Sequence, residues 1–295
     1  MRSRSDQPPS PPVPAARRTA CRLAAAALAA AVGAAAAQDA APDERGLYQL
    51  WQRLAEGRDS HDVLAREALA FASRPGGDPL ELVGYGLAGW HFLKAGLRAE
   101  GASALHAQEQ AAAAVRGGGP ARGPCAQRMA RALLTRLDRE RIEEALRAYY
   151  ARHVEFPKTL EELTPAPGDP PLPKADRWGK SWAYRLEPFR TLKGLDAQHY
   201  ELRSDLLGRH SDLDAFLQIP YASRIVLAPV DPVAGSAGAG TFAFTREGAP
   251  QERIHLTVGG ESGGAILAYA GPGVLVLCDG DHWKVLPRPR SASHG

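Results

Sequence analysis

Between Asp43 and about Val115 the apolar positions return with the period of a helix. In RGLYQLWQRLAEG, Leu47, Leu50, Trp51 and Leu54 fall on one face. In SHDVLAREALAFAS, Val63, Leu64, Ala68 and Phe71 repeat the pattern, with Ser60 placed to cap the first turn. DPLELVGYGLAGWHFLKAG opens on Asp78-Pro79, a cap and then proline at the first helical position, and closes on Gly96. A fourth helix is expected over RAEGASALHAQEQAAAAV. The pair joined at Lys94-Ala-Gly resembles a helical-repeat hairpin. No second copy stands at a fixed period, so a small helical bundle is the simpler reading.

RGGGPARGP, residues 116–124, interrupts this region with glycine and proline. A long amphipathic helix is predicted next, from about Cys125 to His153. Leu134, Ile142, Ala145, Leu146, Tyr149 and His153 make its apolar stripe, and Asp138, Arg139, Glu140, Glu143, Glu144, Arg147 and Arg152 lie mostly elsewhere. Pro157 cannot continue a helix and disfavours helical geometry at Phe156. Thr159 and Glu162 then have the spacing of a capping box, so Leu160 and Leu163 turn back onto the long helix. Gly179 allows a tight turn that sets Trp178 and Trp182 over the apolar stripe.

Further on the period changes to two. Trp182, Tyr184 and Leu186 alternate, as do Tyr200 and Leu202. From Ser223 the short apolar runs RIVLAPV, GTFAFT, RIHLTV, AILAYA and GVLVLCDGDHWKVLP are separated by glycine, proline and aspartate. The last reads as a hairpin bending at Asp279-Gly280, and DPVAGSAGAG reads as a flexible loop. These late strands are expected either to form a small separate sheet or to extend the sheet of the head region, with edges open to a partner strand, or else to complete a core.

The fold class is therefore α+β. A helical region at 38–115 leads through a linker at 116–124 to a long helix packed on a small antiparallel sheet at 125–216. A β-rich region follows at 217–290.

The order ALRAYYARHVEFPKTLEEL, DRWGKSWAYRL, HYELRS resembles the globular head of type II secretion major pseudopilins, the protein G family. The matching pieces are Phe156-Pro157, Thr159 to Leu163, Asp176-Arg-Trp-Gly, Ala183-Tyr-Arg and Tyr200-Glu-Leu-Arg-Ser, roughly a third of the chain. The resemblance implies a protein-interacting component of a secretion or pilus-type apparatus. It also implies a calcium site in the loop after the second strand. Asp212 and Asp214 match the family's acidic pair, Ser204 matches the strand-end serine, and Asp205 is an added candidate. Against this, Leu206-Leu207-Gly208 replaces an expected ligand and Arg209 and His210 bring positive charge. The alternative is a solvated loop in which Asp212 caps a turn. Beyond calcium no cofactor is expected. The chain also departs from the family at its start, because nearly ninety residues separate its apolar segment from the matching helix.

That segment lies in a leader with the features of a secretory signal peptide. Arg17, Arg18 and Arg22 precede an apolar run from Leu23 to Ala37, and cleavage is expected after Ala37. The run is short of the roughly 20 apolar residues a membrane span needs. A periplasmic or secreted protein with no span after cleavage follows as the expectation. Its two remaining cysteines, Cys125 and Cys278, are read either as a disulfide of an oxidising compartment or as two small buried thiols.

Composition bears mainly on what the protein does not do. With Lys+Arg 36 against Asp+Glu 33 in 295 residues, the net charge of +3 gives no basic footprint for nucleic acid. GGESGG around Ser262 is not the strand-to-helix nucleophile elbow, and DGDH at 279–282 offers too few ligands for a closed metal site. His91, in Trp90-His-Phe, reads as a packing residue. The sequence is therefore read as non-catalytic. A stand-alone periplasmic or extracellular binding module that reuses the head fold is the competing expectation.

Overall fold

A computed structural model describes residues 42–57, 59–74, 80–115, 122–192, 195–208, 210–219, 227–229, 241–246, 249–262 and 264–288. The leader, the Asp78-Pro79 cap, residues 116–121 of the glycine-rich linker and the DPVAGSAGAG loop lie outside them. The chain is α+β.

Four helices come first: α1 (Pro42–Glu56), α2 (His61–Ala72), α3 (Glu81–Lys94) and α4 (Arg98–Ala114). The long helix α5 (Arg122–His153) has 32 residues, so it spans about 48 Å. It starts inside the glycine-proline stretch, with Pro124 in a first turn where a missing N–H costs little. After it come the antiparallel hairpin β1 (Ala183–Leu192) and β2 (Leu195–Arg203) and a short helix α6 (Leu213–Leu217). Next is a sheet of β3 (Leu227–Pro229), β4 (Thr241–Arg246) and β5 (Ala249–Thr257). A final antiparallel sheet holds β6 (Glu261–Ser262), β7 (Ala265–Ala270), β8 (Val274–Asp279) and β9 (His282–Pro287).

α3 is apolar almost all round and is the centre of the helical layer. Leu82, Val83, Leu87, Ala88, Trp90, Phe92 and Leu93 are all buried, as a helix without a polar face must be. It ends where Gly96 was expected to stop it. Gly96 has φ 81, its N–H donates to Leu93 O at 3.0 Å, and the Leu97 N–H donates to Phe92 O at 2.9 Å. This is the paired Schellman closure, and it needs a residue at ease in left-handed geometry.

The late strands complete the core of the helices. On β8, Val274, Val276 and Cys278 face the helical layer, in one cluster with Leu47, Leu87, Leu105 and Leu133. The alternate residues Leu275 and Leu277 face Phe244, Ile254 and Leu256 of the preceding sheet. A strand buried on both faces reads as an unbroken apolar run, which accounts for GVLVLC. Trp283 and Val285 of β9 join the helical cluster. The order of layers is thus helices, the β6–β9 sheet, the β3–β5 sheet. The last hairpin bends at Gly280-Asp281, one residue later than expected. Asp279 pairs with His282, and the left-handed φ of 56 at Gly280 is the first central position of the two-residue turn.

α5 takes part in two cores. Its first half, Cys125 to Leu137, belongs to the helical cluster. Its second half, Ile142 and Leu146, packs with Leu163, Trp182 and Leu202 in a separate small cluster, to which Tyr149, Phe156, Tyr184 and Tyr200 contribute at the edge. Trp178 is half-buried and outside that cluster, contrary to the expected pairing with Trp182. Its backbone N–H is instead held by Asp176 Oδ1 at 3.0 Å. No helix among the described residues is long and apolar enough to cross a membrane.

Candidate functional site

The small second core carries a groove. The chain leaves α5 at His153, where the helix was expected to end, and Val154 takes φ 63. Phe156-Pro157 then leads into a single helical turn at Leu160–Glu162, where the Thr159 N–H donates to Glu162 Oε1 at 3.0 Å. A proline-rich stretch follows and returns beside α5. Between them opens a cavity of ≈ 660 Å³, lined by Ile142, Leu160, Leu163, Leu172, Trp182 and Tyr184, with Lys158, Lys174, Glu161 and Asp169 on its wall. That volume lies within the ~300–1,000 Å³ of small-ligand pockets. Two hydrogen bonds tie the walls to the start of β1. Tyr184 Oη donates to Pro157 O at 2.7 Å, and Trp182 Nε1 donates to Pro173 O at 3.1 Å. Burial pushes the Tyr184 phenol up to about 12, so it remains a donor at neutral pH. On the far side Arg141 Nη2 donates to Pro170 O at 2.9 Å and to Pro171 O at 3.2 Å, fixing the loop to the helix.

Below the groove a charged waist joins this unit to the rest. Asp138 of α5, 3% exposed, takes both Nε and Nη2 of Arg177 at 2.5 and 3.0 Å. Asp176 next to it accepts from Trp178 N, Lys180 N and Ser204 Oγ. Arg136, 2% exposed, donates Nε to His210 O at 2.8 Å, meets Asp281 at 3.3 Å and lies 3.8 Å over the Phe216 ring. Glu140 receives Arg98 of α4 through two bonds of 3.1 Å. Buried charges are costly unless they are paired or hydrogen-bonded, and each of these is.

The residues expected to bind calcium lie around this waist, each with a partner. The Ser204 hydroxyl donates to Asp176 Oδ2 at 2.7 Å. Asp205 is exposed, with Arg203 Nε at 3.4 Å. Asp212 Oδ1 caps α6 by accepting from Ala215 N at 2.7 Å, and its other oxygen lies 3.6 Å from Arg139. Asp214 accepts from Arg98 Nη2 at 2.7 Å. Among the described residues no group of three or more His, Cys, Asp or Glu side chains is placed to hold a metal ion.

Ser262 lies on β6, paired with Ala265. Asp281 serves Arg136, and the His282 ring stacks on Phe216 with centroids 5.5 Å apart. His91 does more than pack, because its Nδ1 lies 2.8 Å from Nδ1 of His61 on the preceding helix, α2. Sequence reasoning placed Asp138 off the apolar stripe without a role and passed over Arg136 and Arg177. The available signal was the density of arginine and carboxylate within DRERIEE, which a surface helix shares. His61 and His91 had no signal, since each looks ordinary in its own helix.

No family model matches the chain, and neither a curated protein nor a solved structure matches it.

Proposed function

We propose that the chain is an exported, non-catalytic, protein-interacting component of a secretion or pilus-type apparatus. It docks through a pseudopilin-like head made by the second half of α5, the Thr159 turn and the β1–β2 hairpin. The observation that carries this reading is where the resembling residues lie. Phe156, Leu160, Leu163, Trp182, Tyr184, Tyr200 and Leu202 come from four separate stretches, and all belong to or pack against one cluster with Ile142 and Leu146 of one helix. In this reading the groove over Trp182 and Tyr184 takes an apolar segment of an apparatus subunit, and the helical layer holds the head at a distance. This reading does not call on calcium: each carboxylate of the Ser204–Asp214 loop has an arginine or a backbone N–H beside it.

The test is affinity capture from envelope extracts, with the wild type beside the groove variant Leu160→Glu/Leu172→Glu. Recovery of pseudopilin or other apparatus proteins by the wild type, and their loss with the variant, is the expected result. Recovery of no apparatus protein sinks the reading. The walled shape of the cavity favours one competing reading, a stand-alone periplasmic or extracellular module with a soluble ligand. It expects no apparatus protein in either capture, together with a ligand-induced change in Trp182 fluorescence.

A further inference from the structure

Two cysteines 153 positions apart in the sequence (125 and 278) meet in the middle of the larger core. Cys125 lies in the first turn of α5, 2% exposed, and Cys278 on the helix-facing side of β8, 0% exposed. Both are free thiols and both belong to the same packed cluster. Three residues along α5 from Cys125, on the same face, Arg128 donates Nη2 to Cys278 Sγ at 3.3 Å and to Gly280 O at 3.2 Å. Arg128 thus ties the turn of α5 that carries Cys125 to the Cys278 sulfur. The interaction between the two thiols and the Arg128 charge lower Cys125, while that interaction and burial raise Cys278. Neither group is used by the docking head, which lies at the other end of α5.

We infer that Cys125 and Cys278 are the two halves of a disulfide that fastens the start of α5 to the closing hairpin. The oxidant is an exogenous disulfide, either a small molecule such as oxidised glutathione or a protein dithiol oxidant. The Cys125 thiolate attacks one sulfur of that disulfide, forming a mixed disulfide and releasing one thiolate. The Cys278 thiolate then attacks the Cys125 sulfur and displaces the second. Two electrons pass to the oxidant, and the two protons from the cysteines end on its two thiols. Arg128 is a positioning residue that holds negative charge at Cys278 during the second attack. Because both sulfurs are buried, the exchange takes place as the core closes or during its opening. The inference rests on the exported reading only for the compartment that supplies the oxidant.

The test uses the purified full chain with Cys21→Ser to remove the third thiol. The reduced protein is equilibrated with oxidised glutathione, unfolded, alkylated and digested. The expected result is a linked pair of peptides carrying Cys125 and Cys278, and a Tm at least about 5 °C above that of the reduced form. The Tm gain should be absent in Cys125→Ala. Arg128→Gln should slow the reaction several-fold while leaving the Tm of the reduced form little changed. Two alkylated cysteines after oxidation, or a linked form that melts below the reduced one, overturns the inference. Protein taken from its own cells separates the two ideas. A chain that links readily in vitro but is fully reduced in vivo sinks the exported reading and leaves the cross-link standing.

Discussion

His91 shows how one side chain makes the fold sensitive to pH. A free imidazole titrates near 6.5, and burial, helped by the adjacent His61, holds His91 at about 3. Burial and the Lys94 charge lower His61 as well. The folded protein refuses a proton that the unfolded chain accepts between these values. Stability present above pH 6.5 is therefore lost as pH falls toward 3, by about 2 kcal/mol between pH 6.5 and 5. Urea unfolding at those two pH values measures this, and His91→Gln should remove most of the difference. A second residue-scale prediction concerns Gly271. Glu44, 2% exposed, accepts from Tyr269 Oη at 2.6 Å and from Gly273 N at 2.8 Å, clamping α1 to the β7–β8 turn. A Cβ at Gly271 would lie 1.6 Å from Glu44 Oε1. Gly271→Ala should cost about 3 kcal/mol in urea unfolding, from overpacking and the displaced buried carboxylate. Neither effect was legible in the sequence. Each depends on groups far apart in the chain that only tertiary packing brings together.

Helices and strands were far more legible than their ends, because period and composition act within a few residues. The alternation of Trp182, Tyr184 and Leu186 produced a strand, and Gly96 stopped α3 as its left-handed geometry predicts. The start of α5 was less legible than its end: the helix was expected from about Cys125 and begins at Arg122, inside the glycine-proline stretch. Its end at His153 is the expected one, and the chain leaves it through an exposed valine in left-handed geometry. A β-branched residue is poorly suited to that region. Val154→Gly should stabilise the protein by about 1 kcal/mol in thermal or urea unfolding, since it relieves the backbone at a site where no side-chain burial is lost. Loss of stability on this change would mean that Val154 makes packing contacts in solution.

At the scale of the whole molecule, α5 divides the chain differently from its sequence order. The head occupies one continuous stretch, and the larger core is drawn from both sides of it, from α1–α4 before and from α6 and the β6–β9 sheet after. Entry and exit are neighbours, because Arg139 Nε donates to Leu202 O at 3.1 Å. Replacing residues 142–202 with a short glycine-serine link should therefore leave a folded body with cooperative thermal unfolding and the near-ultraviolet signal of Trp283. A non-cooperative melt would show that the two cores depend on each other. The sequence disclosed strands after Ser223 but not their destination, since an apolar run does not say which layers cover it. One consequence concerns synthesis. Trp283 and Val285, which seal the helical layer, are synthesised long after the helices they cover. The nascent helical layer therefore lacks its lid until β9 has emerged, and its apolar face must wait unsealed while the head and the intervening strands are made.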